Sequence, residues 1–120
     1  PRTMYAELYA RNVAGTVGAT ALGYVNALRQ RAYGNASGNI GAANLITTDF
    51  VLDERGRELY MEGHRRQDMI RYGIFTGGTR LWTFKGGPAA GASTAAFRDL
   101  YPIPASELIA NKNLTQNTGY

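Results

Sequence analysis

The stretch from Thr48 to Phe75 constrains the fold most, because it carries the densest mixture of charged and apolar residues in the chain. It reads TDFVLDERGRELYMEGHRRQDMIRYGIF. The pattern predicts a helix, a break at Gly63 and a second, shorter helix closed by Gly73. Thr48 or Asp49 is expected to cap the first helix, because a short side-chain oxygen can accept a free backbone N–H of the first turn.

One stripe of the first predicted helix contains two glycines. Leu52, Gly56, Leu59 and Gly63 follow one another at spacings of four, three and four residues, which places them on the same face. A glycine in mid-helix costs about 1 kcal/mol relative to alanine. We therefore expect Gly56 to allow another backbone to approach closely.

The charges of this stretch are arranged in helical register. Asp53 precedes Arg57 by four residues and Glu62 precedes Arg66 by four, with the acid on the favourable N-terminal side. Arg55 and Glu58 are three residues apart and form a further predicted pair. Arginine binds carboxylates through a planar, two-bond fork, so these pairs are suited to fixing helices. We predict a structural ion-pair network, and its members are Asp53, Arg55, Arg57, Glu58, Glu62, His64, Arg65 and Arg66.

The alternative is an active site built on the same stretch. Its candidate residues are Glu54, Glu58, Glu62 and His64. We favour the structural interpretation, because every one of these acids has an arginine within helical reach, and an ion-paired carboxylate is a poor general acid. His64 is the single histidine and there is no cysteine, so we expect no metal site, no cofactor and no enzymatic activity.

The N-terminal part of the chain predicts a helical hairpin. Residues Arg2 to Val13 and Ala19 to Tyr33 are each predicted to be helical, and Gly34 is expected to end the second helix. The predicted buried faces are Met4, Leu8 and Val13 in the first helix and Leu22, Val25, Leu28 and Ala32 in the second. Two helices joined by a short glycine turn resemble one tetratricopeptide unit, although one hairpin is not a repeat array. The predicted fold is all-α, with this hairpin, a central helix pair and long loops.

The C-terminal half is poorer in helix signals. Residues 35–44 and 76–96 are loops rich in small residues, residues 97–104 are expected to be extended, and a short helix is expected over residues 106–109, before a polar tail. Within the second loop, RLWTFK reads as a short extended segment with Trp82 and Phe84 on the same side. These aromatic residues and Arg80 are our candidates for ligand binding, because exposed glycine-flanked loops often carry function. The competing interpretation is that the two rings anchor the loop to the helices.

The net charge of +4 does not by itself indicate a nucleic-acid-binding protein. Such proteins gather basic residues on one stripe, whereas the densest arginine cluster here contains an equal number of acids. We therefore expect no nucleic-acid partner. No apolar run approaches the roughly 20 residues that cross a bilayer.

The segment DERGRELYMEGHRRQDMIRYGIFTGG closely resembles the C-terminal signature of the SusD/RagB family of Bacteroidetes. Its E-x-G-H-R and D-x-x-R-x-G patterns are long and chemically mixed. The resemblance continues through PIPASELIANKNLTQNTGY and is preceded by AELYAR and YVNALRQRAYG, so it covers nearly all 120 residues. One departure is Thr118, which stands where the family has proline.

The resemblance implies a non-catalytic glycan-binding lipoprotein of the cell outer membrane, which acts with a SusC-like TonB-dependent transporter in nutrient uptake. It implies that residues 1–120 are the C-terminal segment of a larger protein whose lipid anchor lies upstream. Family proteins carry tetratricopeptide-like helices, and their glycan-contacting aromatic residues come mostly from upstream regions. The alternative is a helical-repeat protein-interaction or structural module with no sugar site of its own.

Overall fold

The regular structure of the chain is helical, as the sequence predicts. The computed structural model describes residues 1–120 and divides into two units, residues 1–65 and 66–120. The α-helices are α1 (Arg2–Ala10), α2 (Gly18–Tyr33), α3 (Thr48–Glu58), α4 (Arg65–Arg71) and α5 (Ala105–Ala110). Short 3-10 helices span Ala36–Gly38, Ala43–Leu45 and Ala96–Asp99. The extended backbone pairs in a single bridge, between Gly77 and Thr94.

The first unit is built around the predicted hairpin of α1 and α2, with α3 packed on α1. Its core consists of small and branched apolar side chains, which let the helices approach closely. These residues are Ala6, Ala21, Val25, Ile46 and Val51. No helix of the chain combines the length and the apolar character needed to cross a membrane.

Helix α1 is shorter than predicted and turns a different face to the core. It ends at Ala10 rather than Val13, because Asn12 adopts a left-handed conformation with φ of 56°. Thr3, Ala6 and Glu7 are buried, whereas Met4 is 61% exposed and Leu8 is also exposed. The predicted apolar stripe of α1 is therefore not the face that packs within this unit.

Helix α2 confirms the prediction for its C-terminal end, where Gly34 is left-handed with φ of 71°. Its buried residues are Ala21, Val25 and Leu28. Ala32, which we predicted on the same buried stripe, is exposed in the last turn.

The predicted break at Gly63 is present, but α3 ends earlier than expected. The helix stops at Glu58, and Met61 and Gly63 both have positive φ values, 66° and 76°. Leu59 and Gly63 therefore do not continue the stripe of Leu52. The cap of α3 is Thr47, whose side chain accepts the Phe50 N–H at 3.1 Å, one residue before the predicted Thr48.

The second unit begins at the second residue of α4 and contains the long glycine-rich loop. Gly73 closes α4 as predicted, with φ of 69°, and the Ile74 N–H donates to the Met69 carbonyl at 2.9 Å. Helix α5 covers the predicted short helix. The expectation of extended backbone from residue 97 was wrong for its first residues, because Ala96–Asp99 form a 3-10 turn.

The predicted polar tail folds back onto the residues before α5. The Gln116 amide exchanges two hydrogen bonds with the Ile103 backbone, at 2.8 and 2.9 Å. The Tyr120 hydroxyl donates to the Leu100 carbonyl at 2.8 Å, and its ring meets Phe97 edge-on at 4.9 Å. The C-terminal residues are therefore an ordered part of the second unit.

Candidate functional site

Glu54 is the centre of the ion pairing in the first unit. The residue is only 7% exposed, and its carboxylate accepts hydrogen bonds from Arg29 at 2.8 Å and from Arg57 at 2.6 Å. Arg29 also donates to the carbonyl of Gly38, so it ties α2, the first 3-10 helix and α3 together. A carboxylate occupied by two guanidiniums is suited to holding helices in place.

The partners inside the network differ from the predicted ones. Arg57 pairs with Glu54 rather than with Asp53, and Glu58 pairs with Arg31 of α2 at 2.5 Å rather than with Arg55. The buried Arg55 donates to the Thr3 hydroxyl of α1 at 3.0 Å. The contacts of Glu58 and Arg55 join neighbouring helices, which a four-residue spacing on one helix cannot reveal.

Gly56 is close to a side chain rather than to the backbone that we expected. The Arg65 guanidinium donates to the Leu52 carbonyl at 2.7 Å and lies 3.5 Å from the Asp53 carboxylate. A Cβ atom at Gly56 would lie 2.9 Å from the Arg65 guanidinium. Gly56 therefore leaves room for an arginine that covers the end of α3.

Three further members of the predicted network lie outside this cluster. Arg66 belongs to the second unit, where it donates to the carbonyls of Arg98 at 2.7 Å and Asp99 at 3.1 Å and lies 3.8 Å from the Tyr101 ring centre. Glu62 and His64 are exposed on either side of Gly63. The predicted pairing of Glu62 with Arg66 assumed a helix through residue 62, but α3 ends at Glu58.

The glycine-rich loop holds the predicted ligand-binding residues. The Gly77 N–H donates to the Thr94 carbonyl and the Ala92 N–H donates to the Lys85 carbonyl, both at 2.7 Å. Gly91 makes a close approach possible, because a Cβ atom there would lie 2.3 Å from the Trp82 carbonyl oxygen. The loop is therefore closed by its own backbone hydrogen bonds.

The structure brings Arg80 and Trp82 together and adds Lys85 to them. The Arg80 guanidinium lies 5.6 Å from the Trp82 ring centre, and the Lys85 amine lies 5.1 Å from it. Lys85 also donates to the Phe75 carbonyl at 3.0 Å. The partly buried indole is thus a cation-binding surface, with its position set by the loop.

Phe84 is placed differently from the sequence prediction. The extended segment was wrong, because the Lys85 N–H donates to the Trp82 carbonyl at 3.0 Å and closes a turn. Phe84 has a left-handed φ of 63° in that turn and its side chain is 68% exposed. An exposed aromatic residue in a strained conformation is a feature that often accompanies binding.

A groove in the first unit was missed by the sequence analysis. It has a volume of about 310 Å³ and no charged side chain lines it. The lining residues are Tyr9, Ala10, Asn12, Ala43, Asn44, Ile46, Thr47 and Thr48. The sequence carries a weak signal for it, since the loop before α3 contains small and amide residues, but the groove forms only when α1 meets that loop.

Similarity to known proteins supports one family over nearly the whole chain. The sequence model of the SusD family matches residues 4–120. Over 103 residues the chain is 42% identical to the starch-binding protein SusD of Bacteroides thetaiotaomicron, which covers 86% of this chain and 18% of that protein.

Solved structures agree with the sequence match. A SusD superfamily protein from Bacteroides vulgatus superposes with a TM-score of 0.68 at 31% identity, over 99% of this chain and 26% of that one. A SusD homologue from Bacteroides thetaiotaomicron superposes with a TM-score of 0.69 at 28% identity, over 99% and 25% of the two chains. The chain spans about a quarter or less of the length of these relatives. It belongs to the SusD family.

Proposed function

We propose that the protein is a non-catalytic glycan-binding component of an outer-membrane nutrient uptake system. The observation that carries the proposal is the 42% identity to a starch-binding protein across most of the chain. Glu54, a member of the alternative active site, is buried and bound by two arginines, which supports a structural rather than a catalytic role for this carboxylate.

In this proposal the protein acts at the cell surface beside a SusC-like TonB-dependent transporter in the outer membrane. The family relationship supports this assignment. The helices and their ion pairs serve as scaffold, and the loop of residues 76–94 carries the glycan contact. Phe84 offers an apolar ring for the C–H face of a sugar, and Arg80 supplies donors for its hydroxyl groups.

Calorimetric titration of the chain with a panel of oligosaccharides tests the proposal. We expect binding to at least one class, weakened about tenfold or more by Phe84→Ala. Tyr60→Ala is the matched control, because Tyr60 is an equally exposed aromatic residue outside the loop. If this chain binds nothing in the panel, the loop of residues 76–94 does not carry the glycan contact, and if the full-length protein also binds nothing, the proposed function is overturned. Release of reducing ends from a polysaccharide that disappears in Glu58→Gln would overturn the non-catalytic assignment.

A second candidate function is a helical protein-interaction module with no sugar site. Two observations favour it: the apolar side chains Met4 and Leu8 are exposed on one face of α1, and Trp82 is partly buried against cations rather than open. This candidate predicts that no oligosaccharide binds and that Met4→Lys weakens a protein complex while the unfolding midpoint of the chain is unchanged.

A further inference from the structure

We propose that the groove between the end of α1 and the start of α3 is a second glycan-binding site, and that it takes a neutral sugar. This inference rests on the proposed function and adds a second glycan-binding surface to the one in the loop. All its lining residues belong to the first unit, so the site is independent of the loop that carries Phe84.

The chemistry of the lining favours an uncharged, hydroxyl-rich ligand. Asn12, Asn44 and Thr48 present amide and hydroxyl groups, each of which can both donate and accept hydrogen bonds. No arginine, lysine or carboxylate lines the groove, although such residues make up 18% of the chain. A sugar hydroxyl is likewise both donor and acceptor, whereas an anionic ligand would meet no counter-charge here.

Tyr9 supplies the apolar wall that a sugar ring requires. Its position is set by Gly18, because a Cβ atom there would lie 3.0 Å from the Tyr9 hydroxyl and 3.0 Å from the Ala43 Cβ atom. The missing side chain lets the tyrosine pack across the start of α2 against the loop. Ala10 and Ala43 are small, so the ring and the groove floor remain accessible.

The polar groups are also held by local structure. Asn12 has a left-handed backbone, fixed by its N–H donating to the Tyr9 carbonyl at 2.9 Å. Thr47 accepts the Phe50 N–H as the cap of α3, and Asn12, Asn44 and Thr48 line the groove with further polar side chains. The volume of about 310 Å³ lies at the lower end of small-molecule sites, roughly 300 to 1,000 Å³, and suits one or two sugar rings.

The test is a titration of the isotopically labelled chain with neutral maltotriose, cellotriose and galactotriose, and with acidic trigalacturonate, followed by backbone amide NMR shifts. We expect a neutral trisaccharide to shift the amides of Tyr9, Asn12 and Asn44. These shifts should persist in Phe84→Ala, because the loop belongs to the other unit.

Two variants remove groove contacts with little risk to the fold. Asn12→Gly retains the left-handed backbone and deletes the amide, and Asn44→Ala deletes a second amide. Each should weaken groove binding by about tenfold, which corresponds to about 1.4 kcal/mol. Asn39→Ala is the control, because Asn39 is an exposed asparagine outside the groove.

The outcomes separate this inference from the proposed function. Shifts confined to the loop around Phe84 would overturn the second site and leave glycan binding intact. Groove shifts with trigalacturonate as large as those with the neutral sugars would overturn the neutral preference. Absence of shifts with every sugar would overturn both the groove site and the glycan contact of the loop.

Discussion

At the scale of single residues, Glu54 links α2 and α3 through its ion pair with Arg29. Its buried carboxylate is shared between Arg29 and Arg57, and the Arg29 side chain is itself mostly buried. Removing one partner of a buried ion pair leaves the other charge without compensation. The effect of a substitution therefore depends on burial and not on the number of charges in the segment.

Glu54→Gln tests this dependence. We expect it to lower the free energy of unfolding by about 2 to 4 kcal/mol, because the mostly buried Arg29 guanidinium loses its negative partner. Urea denaturation followed by circular dichroism measures the change. Glu62→Gln is the control and should change stability by less than about 0.5 kcal/mol, since Glu62 is exposed beyond the end of α3. Equal effects of the two substitutions would contradict the assignment.

Gly91 tests the closure of the loop. Gly91→Ala places a Cβ atom 2.3 Å from the Trp82 carbonyl oxygen in a backbone with φ of 81°, so the loop must rearrange. We expect a loss of about 1 to 3 kcal/mol and a change in Trp82 fluorescence. Gly41→Ala is the control, because nothing lies within 4 Å of its Cβ position. Unchanged fluorescence in Gly91→Ala would show that the loop is open.

At the scale of secondary structure, helix α2 contains two glycines with opposite roles. Gly23 is exposed in mid-helix with nothing within 4 Å of its Cβ position, whereas Gly18 faces Tyr9 and Ala43. Gly23→Ala should stabilise the chain by about 0.5 to 1 kcal/mol through helix propensity. Gly18→Ala should destabilise it by about 1 to 3 kcal/mol through overpacking. Thermal unfolding of the two variants measures both changes in stability. Stabilisation by Gly18→Ala would mean that Tyr9 does not pack against Gly18.

The elements that could be predicted are those whose signals are local. Gly34, Gly63 and Gly73 each mark a chain reversal that needs positive φ, so the helix breaks were visible in the sequence. The end of α3 was not visible in the sequence, because nothing between Glu58 and Gly63 resembles a helix stop signal. Because α3 ends at Glu58, before Glu62, the predicted pair of Glu62 and Arg66 does not form within one helix.

The candidate sites were less predictable than the helices. Arg80 and Trp82 were identified from one short loop, but the left-handed turn at Phe84 is set by hydrogen bonds that close the loop. The groove joins Tyr9 and Asn12 to Asn44 and Thr48, which are more than 30 residues away in the chain. Such a site depends on how α1 packs against the segment before α3, and hydrophobic periodicity does not report this packing.

At the scale of the whole chain, the excess positive charge is distributed unevenly. Residues 1–65 carry seven basic and six acidic side chains, whereas residues 66–120 carry six basic and three acidic ones. In the first unit most acids are engaged by arginine, and the groove has a neutral lining. The second unit carries the cationic loop of Arg80 and Lys85.

This distribution predicts two different responses to salt. The affinity of the groove for a neutral oligosaccharide should change less than twofold between about 50 and about 500 mM NaCl, a range over which screening changes strongly. An acidic oligosaccharide attracted to Arg80 and Lys85 should bind several-fold more weakly at the higher concentration, because salt screens these partly exposed charges. Calorimetric titration at both concentrations measures the two responses.

The matched control for the acidic ligand is Lys112→Gln, which removes a charge of the same unit outside the loop and should leave the affinity for the acidic ligand unchanged. Strong salt dependence for a neutral ligand would instead indicate that it binds at the cationic loop. Equal losses of affinity for the acidic ligand in Arg80→Gln and Lys112→Gln would show that net charge alone accounts for its binding.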